Sequence, residues 1–67
     1  MSTLKVLEIL AESQKSWEDA AQKGIAEVGK TVKNIRSAYI QEQSVVVEKN
    51  KIVTYRVNLK VTFAVER

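Results

Sequence analysis

The sequence predicts an α+β fold in the order β-α-β-β, with a three-stranded antiparallel sheet packed on one helix. Three observations point there. Residues Val53, Tyr55, Val57, Leu59, Val61, Phe63 and Val65 alternate without a fault against Thr54, Arg56, Asn58, Lys60, Thr62 and Ala64, the period of a strand with one buried face. Upstream, Trp17, Ala20, Ala21, Gly24, Ile25, Val28, Val32 and Ile35 recur at helical spacing and fall on one side of a wheel. Between the last two β-rich stretches, Glu48-Lys49-Asn50-Lys51 supplies a turn, with Asn50 suited to the left-handed conformation.

Taken in order, Leu4 to Ala11 is an apolar run broken singly by Lys5 and Glu8, and reads as the first strand. Ser16 followed by Trp17-Glu18-Asp19 sets a capping hydroxyl before acids in a first helical turn. A helix of about 19 residues from Trp17 to Ile35 follows from the stripe. Asp19 and Lys23 stand at the favourable i,i+4 spacing, and Lys30, Lys33 and Arg36 complement the dipole at its carboxyl end. Gly24, among Ala20 and Ala21, marks the point where helix and sheet approach most closely. Trp17, at the head of the stripe, is expected to pack as core. The second strand runs from Ala38 to Glu48, and the hairpin joins it antiparallel to the third.

A chain of 67 residues with no cysteine or proline has room for one domain, residues 1–67, and no disulfide to hold it. Domains of this size bury only about 60% of their unfolded surface, a thin margin over chain entropy. A third strand of about 14 residues is roughly 46 Å long, against roughly 29 Å for the expected helix, so part of the sheet is left bare. Bare apolar sheet and open edges point to self-association into a closed oligomer. No apolar run approaches the roughly 18 to 20 residues of a membrane span, and the first residues do not resemble a secretion signal, so a cytoplasmic protein without a membrane partner is expected. The net charge of +3 is mild and lysines alternate with glutamates, which argues against a nucleic-acid partner.

Histidine and cysteine are both absent, which removes the commonest general base, the thiol nucleophile and the usual zinc ligands together. The eight carboxylates form no motif with a serine and a lysine, and there is no EF-hand loop. A non-enzymatic protein is expected; calcium can still bind at an interface between copies. Tyr39, beside Arg36 and Ser37, stands where the helix is expected to end and a cleft can form. Arg56 shares the polar face of the third strand with Asn58 and Lys60, a row that suits either solvent or an anionic ligand.

In order and spacing the chain resembles the dodecins. The resemblance rests on Lys5-Val6-Leu7-Glu8-Ile9, on the Ser13 and Ser16 region opening a helix with paired alanines, and on Thr54 to Phe63 as the last strand. It implies one helix wrapped by three antiparallel strands, a hollow homododecamer, and a binding or storage role. In flavin-binding dodecins a tryptophan opens the second strand and stacks on the isoalloxazine, and a glutamine follows the tyrosine of the last strand. Those positions fall on Ser37 and Arg56 here. Serine offers no face for stacking and arginine accepts no hydrogen bond, so flavin (riboflavin or FMN) of the usual kind is not favoured. Ser16-Trp17-Glu18, Asn34-Ile35-Arg36 and Glu42-Gln43 look more like the calcium dodecins. The expected ligand site, for a small ligand or a metal ion such as calcium, comprises Ser37, Tyr39 and Arg56.

Overall fold

A computed structural model describes residues 3–65. Its elements are β1 (Thr3–Ser13), α1 (Trp17–Val28), β2 (Ile35–Glu48) and β3 (Lys51–Val65). The expected order and fold class hold. Both neighbours of β3 run antiparallel to it, and the sheet order is β1-β3-β2, so the strand with the cleanest alternation is the central one. Its odd residues Val57, Leu59 and Val61 are buried with Ala20, and Leu7, Ile9, Ala11, Trp17, Ala21, Ile25 and Ile35 pack around them.

The local signals act as their chemistry requires. The Ser16 hydroxyl accepts from the Asp19 amide at 2.9 Å, capping α1. Asp19 in turn accepts from the Ser13 hydroxyl at 2.5 Å and pairs with Lys23 at 3.1 Å, which ties the end of β1 to the first helical turns. These contacts hold the Asp19 carboxyl below its ordinary pKa, the Ser13 hydrogen bond contributing most and Lys23 next. At Gly24 an added Cβ would lie 3.0 Å from Ala11 Cβ and 3.2 Å from Ile9 Cδ1, so the glycine does mark a close helix-sheet approach. Lys49 and Asn50 both have positive φ, the pattern of a two-residue type I′ turn between β2 and β3.

The helix is shorter than its stripe suggests. It ends at Val28, not at Ile35, and its last turn carries no basic residue, so Lys30, Lys33 and Arg36 are not dipole partners within it. Gly29 and the β-branched pair Thr31 and Val32 favour helix poorly. The Thr31 amide bonds the Val28 carbonyl at 3.1 Å in a tightened turn, and Asn34 then enters the left-handed region at φ 66. The Asn34 carbonyl accepts from the Ala64 amide at 3.0 Å, which fastens this connection onto β3. Ile35 opens β2, which therefore begins before Ala38, and β1 likewise extends to Ser13 beyond Ala11. Twelve helical residues span about 18 Å; the molecule measures 51 × 20 × 13 Å, so the bare length of sheet exceeds the expectation.

Candidate functional site

Register places the candidate side chains. Directly opposed residues in an antiparallel sheet point to the same side, and successive residues alternate. Val57, Leu59 and Val61 face α1, so Arg56, Asn58, Lys60 and Thr62 project from the other face. Across the three strands that face carries four rows: Glu12, Arg56 and Ser44; Leu10, Asn58 and Glu42; Glu8, Lys60 and Tyr39; Val6, Thr62 and Ser37. Ser37, Tyr39 and Arg56 thus share one face of the sheet. Their separation along it is large: Thr62 and Arg56 are six residues apart, roughly 20 Å at about 3.3 Å per residue. One chain does not gather the three side chains into a single cleft.

Ser37 and Tyr39 both sit on β2 and are exposed, Tyr39 to 57%. Tyr39 is eleven residues past the end of α1 at Val28, on β2 opposite Lys60 of β3. β2 bulges on either side of the pair, where Arg36 and Gln41 have no directly opposed residue on β3. Arg56 is engaged. Its Nε and Nη2 both donate to Glu12 Oε2, at 2.6 and 2.5 Å, across the β1-β3 ladder. This pairing leaves the guanidinium largely compensated, and the four rows hold three carboxylates, Glu8, Glu12 and Glu42, against Arg56 and Lys60. A face of that composition suits a cation better than an anion.

Asn58, at the centre of the second row, has a buried Oδ1 with no hydrogen-bond partner. An amide oxygen beside Glu42 is the kind of hard donor that calcium accepts, but calcium takes about six to eight oxygens. Among the described residues no group of three or more acidic, histidine or cysteine side chains is placed to hold a metal ion. Sequence reasoning named the polar row of β3 and singled out Glu42 by resemblance, but did not place Glu12 and Glu42 beside that row, because their positions depend on pairing with residues far along the chain. Glu66, another of the carboxylates, lies outside the described residues.

Trp17 is half-buried at the head of α1, as a core residue with a wet edge. Its ring meets Tyr55 edge-on at 5.3 Å between centroids, and its Nε1 donates to the Ser44 carbonyl at 3.0 Å. No helix among the described residues is long and apolar enough to cross a membrane.

The family model for dodecins matches residues 3–66. The chain belongs to the dodecin family. It is 38% identical over 63 residues to the calcium dodecin of Mycobacterium tuberculosis, covering 94% of this chain and 89% of that one. The solved structure of that calcium dodecin, described as calcium chelating and as having a novel calcium-binding site, superposes with a TM-score of 0.85 at 35% identity, over 97% of this chain and 93% of the other. A dodecin from Thermus thermophilus matches at TM-score 0.94 and 24% identity over the whole of this chain and 98% of its own. One from Streptomyces davaonensis gives 0.94 and 23%, over 98% and 97%. At those identities the two latter likenesses speak for the fold alone. The expected family is therefore found, and the relative named for calcium is the more similar in sequence.

Proposed function

We propose that this dodecin is a non-enzymatic binding and storage shell of twelve copies, located in the cytoplasm, that takes a small ligand or a metal ion, calcium foremost, at interfaces between subunits. Neither nucleic acid nor membrane is a partner in this reading. The observation that carries it is the face bearing Ser37, Tyr39 and Arg56. Its carboxylates outnumber its bases, its arginine is compensated by Glu12, and it offers an unpartnered amide oxygen. The likeness to a calcium dodecin supports the choice of cation. Separated donors on one chain also fit a ligand held between copies, since symmetry can bring distant rows together where a single sheet cannot.

Native mass spectrometry tests the shell and its content together. The expected species has twelve chains and gains mass with calcium, and calcium raises the melting temperature where equal magnesium does so less. A species with no calcium uptake and no calcium-dependent shift would remove the cation reading.

A second reading, flavin storage with an altered pocket, draws on Tyr39, an exposed ring two residues from Ser37 on the same strand face. Riboflavin or FMN fluorescence left unquenched by the purified protein removes it. The variant Ser37→Trp with Arg56→Gln adds a stacking face and a side chain that both donates and accepts. If copies bring the two positions together, it quenches riboflavin at concentrations where the parent does not, each single variant falling between. Normal assembly without improved binding would place the ligand elsewhere.

A further inference from the structure

The β2-β3 hairpin runs past everything that supports the rest of the sheet. β1 stops pairing at Ser13 opposite Tyr55, and the helix begins at Trp17 against that same Tyr55. From Thr54 to the turn, β3 has β2 alone beside it, with Val46 opposite Thr54 and Val47 opposite Ile52. Such a two-stranded ribbon is marginal by itself in water. Yet it is apolar: Val47 and Ile52 are 56% and 53% exposed. A type I′ turn and a register shift between Val46 and Val47 give it a defined shape. It projects beyond the last pairing of β1.

A second apolar row lies elsewhere. On β1, an edge strand, Leu4, Val6 and Leu10 are 53%, 59% and 61% exposed and project from the face away from the helix. Glu8 stands between Val6 and Leu10 in that row, opposite Lys60, and Glu12 beyond it is already paired with Arg56. The hairpin tip has the opposite lean, since Lys49 and Lys51 outnumber Glu48. The two patches differ in residues and in place along the 51 Å axis, and a lysine at the tip can share Glu8 with Lys60, which stands opposite it on β3.

We infer that the hairpin tip of one copy docks on the β1 edge of the next, with Val47 and Ile52 against Val6 and Leu10 and Lys51 near Glu8. The occupant is a second copy of this chain, because it supplies both the apolar match and the charge match. A contact between unlike patches is head-to-tail and must close on itself to avoid open filaments, which agrees with a closed shell. This inference rests on that shell but adds which surfaces meet. The contact occupies the β1 margin of the face that carries the candidate ligand rows, Glu8 and Leu10 included, and leaves Ser37 and Tyr39, on the opposite edge strand, to line another interface.

The test uses the full chain, with assembly followed by native mass spectrometry and sedimentation over a concentration series, and folding by circular dichroism. Ile52→Asp is expected to raise the concentration needed for assembly at least about tenfold, as for loss of a central apolar contact, while the strand and helix signal persists in the smaller species. Lys51→Glu and Glu8→Lys each weaken assembly, and the two together restore it, with the differences shrinking in high salt. The charge pair settles the matter even if Ile52→Asp fails to fold. Assembly of Ile52→Asp at parent concentrations, or a charge-swapped double variant no better than its worse single, would overturn the contact. A parent of some number other than twelve would sink the dodecameric reading and leave this contact standing, provided the variants still break it.

Discussion

The two ends of the sheet are held in different ways. At one end the connection from Gly29 to Asn34 folds back onto β3 through the Asn34 carbonyl, and α1 covers Val57, Leu59 and Val61 from Tyr55 onward. At the other, the hairpin beyond Tyr55 has the ladder and the turn, without β1 beside it. Sequence alternation runs cleanly from Val53 to Phe63 and does not itself mark where the cover ends. The difference lies in what is stacked upon β3, and it divides the molecule into a part held on the core of α1 and a part held by its ladder alone.

Substitutions sharpen this contrast. Leu59→Ala, in the covered half, should cost about 2–5 kcal/mol of unfolding free energy through the cavity it leaves. Val47→Ala in the ribbon should leave secondary structure intact and shift only the concentration dependence of assembly. Denaturant titration at several protein concentrations separates the two, and a Val47→Ala variant with the unfolding profile of Leu59→Ala would erase the distinction.

Next in size comes Gly24, where the helix meets Ala11 and Ile9. Gly24→Leu should destabilise by about 1–3 kcal/mol from overpacking. Gly24→Ala should fall short of the helix-propensity gain of about 1 kcal/mol that an exposed site would give, because its methyl group lands 3.0 Å from Ala11 Cβ. Thermal melts of both variants decide it, and a more stable Gly24→Leu would mean that the face is loosely packed.

Smaller still is the exposed pair of Glu12 and Arg56, for which Glu12→Gln should cost at most about 1 kcal/mol. Its clearer consequence is a freed guanidinium on the ligand face, read as phosphate-dependent stabilisation absent from the parent. The Asp19 cluster has a pH signature. Its carboxyl is held below the ordinary range in the folded state, so its contribution is fully present above the usual carboxylate pKa and disappears as the pH falls through the lowered value. Asp19→Asn should therefore reduce stability near neutrality and flatten the acid limb of a melting-temperature profile. An unchanged limb would remove Asp19 from the account.

The order of elements, the turn, the helix cap and the glycine contact were legible in the residues because each depends on neighbours a few positions away. The end of α1 was not. Val32 and Ile35 fall on the helical stripe, yet Ile35 reaches the core from β2, where a strand serves the same burial. The ligand face was half legible: the period of β3 placed Arg56, Asn58 and Lys60 together, but the partner that compensates Arg56 comes from 44 residues away. Only the register of two ladders brings Glu12 and Glu42 beside that row, and sequence alternation in β1 and β2 is too irregular to fix it. Bulges at Arg36 and Gln41 are the cause in β2, since each shifts the phase of the strand.

Trp17 is the one tryptophan in the chain. Its indole joins the helix to the Ser44 carbonyl just where the covered sheet gives way to the ribbon. Its emission is therefore a built-in gauge of that boundary. A tip that settles onto a neighbour, or a flavin that arrives nearby, changes the wetness or quenching of a single ring, and the event can be followed in time without attaching any label.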